Sequence, residues 1–241
     1  AYLDKKEQKT LNDAERFTSK SWAKKRAAGT PFINGSVNDA SSKVIKDSIP
    51  RVQKDPDGHT SHLTIVDKNG MIVSLTQTIG PTMGSKVATP GLGFLYAQTM
   101  GGYLGKVEPN LRVPSHISPI IVFKKDKPFL ALGAAGGSRI PSSIVNVISR
   151  IIDHDLSLEE ALNSPRVHPL EEGISLEIVD NVSWNNDDST YFSKLGYTVE
   201  MKRLPGKFGR IHAVILDTLT GEWIGCADPD WEGTSAFPIL E

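Results

Sequence analysis

Thr60 stands where a polar stretch broken by proline and glycine gives way to strand-like sequence. A threonine hydroxyl is a weak nucleophile unless a base sits beside it. One solution makes the threonine the first residue of a chain, so that its own α-amine takes the proton. That amine titrates at about 7.7–8.0, close to working pH. Such a residue has to be released by cleavage, here of the His59–Thr60 bond. A threonine at a strand start is common and by itself specifies nothing. Thr78 adds to it: it ends the next strand-like run, where a hairpin would lay its hydroxyl beside that of Thr60. A third feature is Gly136-Gly137, lying between a strand and a long helix. Glycines there let backbone N–H groups approach a ligand, and the helix N-terminus favours negative charge. This suits an oxyanion hole. The spacing is neither Gly-x-Gly-x-x-Gly nor a Walker sequence, so it does not read as a nucleotide loop.

The elements that must position these groups are legible in outline. Residues 1 to about 28 are rich in Lys, Glu, Ala and Leu and read as helix; from there to Gly58 the chain reads as an exposed linker. His62–Val66 and Met71–Thr78 flank Asp67-Lys68-Asn69-Gly70, a strong hairpin signal. Gly84 to Gly93 is a glycine-punctuated loop. Strands are expected at Ile117–Phe123 and Phe129–Gly133, around a turn at Lys124–Pro128. Pro141 to about Asp153 follows as an amphipathic helix with Ile144, Val147, Ile148, Ile151 and Ile152 on one face. Leu156–Asn163 reads as a second helix with Ser157 as cap and Glu160 three residues on. A helix near Ser189–Leu195 and strands at Thr198–Lys202, Ile211–Asp217 and Trp223–Ala227 complete the chain. Hairpins followed by helices predict an α+β fold, antiparallel sheet covered by helices.

Composition narrows the classes. The 241 residues are 39% hydrophobic with a net charge of −1, enough for a core and without a field favouring nucleic acid or an anionic membrane. No run approaches the ~18 apolar residues of a membrane helix. The single cysteine, Cys226, excludes an intrachain disulfide and reads as a small buried residue. Asp228-Pro229-Asp230 offers too few carboxylates for a metal, and no metal or cofactor is expected. His62, His168 and His212 read as structural, since an α-amine base makes a catalytic histidine unnecessary.

Several stretches in order resemble the γ-glutamyltranspeptidase family of the N-terminal nucleophile hydrolase superfamily: residues 60–67 (Thr-Ser-His-Leu-Thr-Ile-Val-Asp), 75–78, 112–119, 133–140 (Gly-Ala-Ala-Gly-Gly-Ser-Arg-Ile), 165–168 (Pro-Arg-Val-His) and 227–229. The resemblance implies a four-layer αββα sandwich. Residues 1–59 correspond to the tail of the family's large subunit, and residues 60–241 to the whole small subunit. It also implies self-cleavage at His59–Thr60 and a threonine acyl-enzyme that transfers the γ-glutamyl group of glutathione-like donors to water or an amino acid. Thr60 would be nucleophile, Thr78 its hydroxyl partner, Gly136 and Gly137 the oxyanion hole, and Ser115 a ligand of the donor's α-carboxylate. The remainder of the large subunit is the implied partner, and the compartment would be periplasmic or secreted.

The chain departs from the family's pattern in the donor pocket. Gly80 stands where an asparagine is usual, Thr99-Met100-Gly101-Gly102 where the family has Gln-Met-Asp-Asp, and His116 in place of a second serine. The last aspartate, at the position of Gly102, normally meets the donor's α-ammonium. Its loss, worth about 1.5–3 kcal/mol for a charge-assisted bond, leaves open an acylase for glutaryl or cephalosporin-type amides, and beyond that a non-enzymatic homologue. Residues 103–110 are shorter than the lid-bearing loop of some members, which implies an open pocket.

Overall fold

A computed structural model describes residues 20, 21, 24, 58–99, 115–170, 173–180, 184–203 and 206–237. Lys20, Ser21 and Lys24 are helical; the rest of the expected N-terminal helix, the linker up to Asp57 and the loop at 103–110 lie outside the described residues.

Strands β1 (Gly58–Val66) and β2 (Ile72–Pro81) form an antiparallel hairpin. The Asp67 carboxylate accepts from the N–H groups of Asn69 and Met71, and Gly70 takes the left-handed φ of +82° that the turn requires. β3 (Ile120–Lys124) and β4 (Lys127–Ala135) form a second hairpin whose two-residue turn puts both Lys125 and Asp126 at positive φ. β8 (Arg210–Leu216) pairs with β4 and β9 (Trp223–Ala227) with β8, giving an antiparallel sheet ordered β3-β4-β8-β9.

β4 is the middle of the stack. Leu130, Leu132 and Ala134 point to one side, where α1 (Ile140–Asp153) and α2 (Leu158–Asn163) close a core with Ile140, Ile144, Val147, Ile151, Leu162 and Ile211. The alternate residues, Ala131, Gly133 and Ala135, face the β1–β2 hairpin and are small enough to let it approach. Hairpin, sheet and helices make three layers, and the outer face of the hairpin, carrying Leu63, Ile65, Val73 and Leu75, is exposed. The fourth expected layer is not among the described residues.

The cap of α2 forms as expected: Ser157 and Glu160 satisfy each other's backbone N–H groups. Two expectations need correction. Ile152 is exposed at 44%, because α1 rotates Ile140 rather than Ile152 onto the sheet. The strand expected at Thr198–Lys202 forms as β7, but its partners β5 (Val167–Leu170) and β6 (Gly173–Glu177), which make a third sheet with β6–β7 parallel, were missed. β6 buries Ile174, Ser175, Leu176 and Glu177 in succession, so it lacks the alternation that marks a half-exposed strand. The helix α3 (Asn186–Lys194), capped by Asn185 with Asp188 in a second reciprocal box, precedes β7.

Candidate active site

Thr60 and Thr78 are cross-strand partners in the β1–β2 ladder. The Thr60 hydroxyl donates to the Thr78 Oγ1 over 3.1 Å, and the Gly80 N–H donates to the same oxygen over 3.0 Å. Two donors thus converge on Thr78, and the Thr60 oxygen keeps its lone pairs clear of that bond. The ladder slips here: Gly58 lies opposite Pro81 and Thr60 opposite Thr78, so His59 faces two residues. Bulges of this kind unpair a backbone segment and re-aim it. The extra residue lies on β2, in the Ile79-Gly80 segment opposite His59.

One rung inward, His62 is buried, with Nδ1 2.7 Å from the Thr76 hydroxyl and Nε2 2.9 Å from that of Thr64. Its ring fills the space a side chain at residue 133 would need: a Cβ on Gly133 would lie 2.3 Å from it. Burial, and then neighbouring His212, lowers its pKa to about 4, so the ring is neutral at pH 7. A neutral, doubly engaged ring is a spacer between sheets, in line with the structural role expected.

Two contacts fix the direction of the hairpin on β4. The Ser74 hydroxyl donates to the Leu132 carbonyl, and the His62–Thr76 rung lies at Gly133. The next rung, Thr60–Thr78, therefore continues toward the end of β4, where Gly136-Gly137 follows. Gly136 has a φ of +138° and Gly137 one of +60°. A Cβ on Gly136 would lie 3.0 Å from the Gly209 Cα, so glycine is needed for both backbone and space. A short 3-10 turn (Gly137–Arg139) then leads into α1.

Of the other expected site residues, Gly80 belongs to this cluster. Its φ is +85°, and a Cβ there would fall 2.5 Å from the Gln98 carbonyl oxygen and 3.6 Å from the Thr99 methyl. The loop ending at Thr99 thus folds back on the end of β2, held by the Gln98 N–H donating to the Ile79 carbonyl. Ser115 and His116 sit on the strap before β3; Ser115 is exposed, its hydroxyl accepting from the Ile117 N–H. Gly102 and the His59 side chain lie outside the described residues.

Sequence reasoning missed how the Pro-Arg-Val-His segment is held. Ser142, Asn146 and Arg150, one turn apart on α1, bind it. Ser142 Oγ lies 2.8 Å from His168 Nδ1, Asn146 bonds both the N–H and the carbonyl of Val167, and Arg150 donates to the carbonyls of Ala161, Ser164 and Pro165. Arg166 points the other way, buried, and pairs with buried Asp228 at 2.7 Å. The signal was the i, i+4, i+8 spacing of Ser142, Asn146 and Arg150, which places them on one face of the helix.

The fold is α+β, of the kind found in N-terminal nucleophile hydrolases. A family model described as gamma-glutamyltranspeptidase matches residues 1–237. The chain belongs to the gamma-glutamyltranspeptidase family. It is 27% identical over 227 residues to the glutathione hydrolase proenzyme of Bacillus subtilis (strain 168), covering 88% of this chain and 35% of that protein. It is 32% identical over 171 residues to the acylase ACY 1 proenzyme of Pseudomonas sp. (strain V22), covering 67% and 30% respectively. A crystal structure of a Helicobacter pylori gamma-glutamyltranspeptidase mutant matches with a TM-score of 0.61 at 30% identity, covering 71% of this chain and 100% of that one. The chain thus spans about a third of the length of these curated relatives.

Proposed function

We propose that this chain carries the catalytic subunit of a self-processing γ-glutamyl hydrolase or transpeptidase, with Thr60 as nucleophile. The observation that carries the reading is the Thr60–Thr78 hydroxyl pair beside a slipped ladder. In the precursor, the Thr60 oxygen attacks the His59 carbonyl carbon. The peptide C–N bond breaks, the ester that replaces it is hydrolysed, and the Thr60 α-amine is freed. That amine takes the hydroxyl proton as Thr60 attacks a donor amide. The Gly136 and Gly137 N–H groups meet the tetrahedral oxyanion. The proton passes to the leaving amine, and water or an amino acid then resolves the acyl ester. Residues 1–59 serve as the end of the large subunit in this reading. The exposed apolar face of β1–β2 is where the rest of that subunit packs.

The B. subtilis protein is named a glutathione hydrolase and the Pseudomonas one an acylase. One observation favours the acylase alternative: the Gln98 carbonyl occupies the place a side chain at residue 80 would take. Fewer groups are then left to meet a donor ammonium, whose desolvation goes uncompensated. Matched γ-glutamyl and glutaryl anilides separate the two, a strong γ-glutamyl preference excluding the acylase.

The test of the main reading is Thr60→Ala in the full-length precursor. Cleavage before residue 60, followed by N-terminal sequencing, should be abolished, and kcat/KM should fall on the order of 10^4-fold or more. A Thr60→Ala protein that matures and turns over normally excludes it. Thr78→Ala should cost roughly 10- to 100-fold through misorientation of the hydroxyl.

A further inference from the structure

Behind the oxyanion turn lies a chain of buried contacts. The segment 208–210, which leads into β8, backs Gly136: the Gly209 Cα lies 3.0 Å from where a Gly136 Cβ would be. Gly209 itself is wedged, with a φ of +93° and its own Cβ position 2.3 Å from the Ser143 hydroxyl on α1. Neither glycine has room for a side chain, so the two backbones are closely apposed. Its carbonyl accepts from Arg166 Nη1 at 2.7 Å. The same guanidinium donates from Nη2 to the Leu162 carbonyl at 2.9 Å and to Asp228 Oδ2 at 2.7 Å. Asp228 in turn accepts from the N–H of Ile211, the second residue of β8, at 3.1 Å. The Arg139 guanidinium lies 5.9 Å from the Phe208 ring and that of Arg210 4.5 Å from the Trp231 ring, so each residue of the segment is tied to an arginine contact.

We propose that Arg166, oriented by Asp228, is a positioning residue that sets the oxyanion turn by clamping the Gly209 carbonyl behind Gly136. The proposal rests on the reading of Gly136-Gly137 as the oxyanion hole. An isolated buried ion pair is weak evidence for a stabilising role, since an apolar pair of similar volume often serves as well. What an apolar pair cannot do is hold a carbonyl at a fixed distance. Arginine suits this task because its planar fork addresses Asp228 and two carbonyls at once, where a lysine ammonium presents a single point of charge.

Two variants separate positioning from stability, each made in the full-length precursor with turnover normalised to cleaved chain. Arg166→Lys keeps the charge for Asp228 and loses the fork. The double variant Arg166→Met/Asp228→Leu removes both charges of the pair together, leaving Glu177 as the neighbouring buried carboxyl that loses the influence of Arg166. The expected result is a folded enzyme with kcat reduced about 10-fold or more and KM within about threefold of wild type, the mark of an interaction made in the transition state. Wild-type kcat in either folded variant overturns the proposal, as does a rise in KM alone. If neither variant folds, the pair is a folding element and the proposal is equally overturned. Thr60→Ala serves as the control. Turnover surviving there removes the reaction itself and defeats both readings, whereas a dead Thr60→Ala beside an unaffected Arg166→Lys defeats only the positioning role.

Discussion

The two surfaces that meet along β4 are built in opposite ways. Toward α1, the interface is predominantly apolar: Leu130, Leu132, Ile144 and Val147 belong to one buried hydrophobic cluster. Toward the hairpin, β1 and β2 turn their polar residues inward, His62, Thr64, Ser74 and Thr76, and leave Leu63, Ile65, Val73 and Leu75 outside. An independent two-stranded sheet would do the reverse. In the reading proposed above, this inversion is what the inner leaf of a larger stack requires, with its polar side given to the site and its apolar side offered to another layer. Helix-side packing supplies stability, and hairpin-side hydrogen bonding fixes where the two threonines stand.

Substitutions on either side should break this contrast if it is wrong. The largest effect is expected from Leu132→Ala, which opens a cavity in the apolar interface and should cost about 2–5 kcal/mol by denaturant unfolding. A cost below about 1 kcal/mol would mean that the interface relaxes and is not close-packed. Next comes an acid response on the polar side. In the unfolded chain an ordinary histidine titrates near about 6.5, whereas His62 in the fold titrates at about 4. Between these values the unfolded state binds a proton that the native state does not, so stability should fall as pH drops through that window, by up to roughly 3 kcal/mol. His62→Gln should flatten this arm, leaving the slope due to His212, whose pKa is also lowered by burial. An unchanged arm in His62→Gln would show that the ring is already charged in the fold.

Thr76→Val should cost about 1–2 kcal/mol, because it leaves a buried His62 nitrogen without its hydroxyl; equal stability would mean that water replaces the contact. The smallest effect is expected from Ile65→Thr, within about 0.5 kcal/mol in the 241-residue chain, since that side chain is already 56% exposed. A cost matching that of Leu132→Ala would mean that the outer face is covered.

These two halves also differ in how much their sequence disclosed. The hairpin was readable because Asp67-Lys68-Asn69-Gly70 has only one good conformation, and pairing across that turn brings Thr60 to Thr78 without further information. Helix α1 was readable from its apolar period, and the Ser157 cap from its partner Glu160. What escaped was everything that depends on buried charge and on long-range register. Arg166, Glu177 and Asp228 have side chains that composition assigns to the surface, and only the fold brings them within reach of one another. Their burial has a visible electrostatic consequence: the Glu177 carboxyl is pushed up first by loss of water, though nearby Arg166 draws it back. The ladder slip at His59 was invisible for a different reason. Residue types there permit several registers, and nothing in them marks the extra residue that β2 carries at Ile79-Gly80.

That fold-back at Gly80 also bears on the routes by which this pocket can change. An asparagine introduced alone at residue 80 would have to take a left-handed backbone while its Cβ met the Gln98 carbonyl oxygen at 2.5 Å. The obstacle is main chain, which no rotamer change can clear, so the strand end or the loop must move first. The position therefore resists single substitution: a designer seeking an amide there would have to rebuild residues 97–99 before touching residue 80.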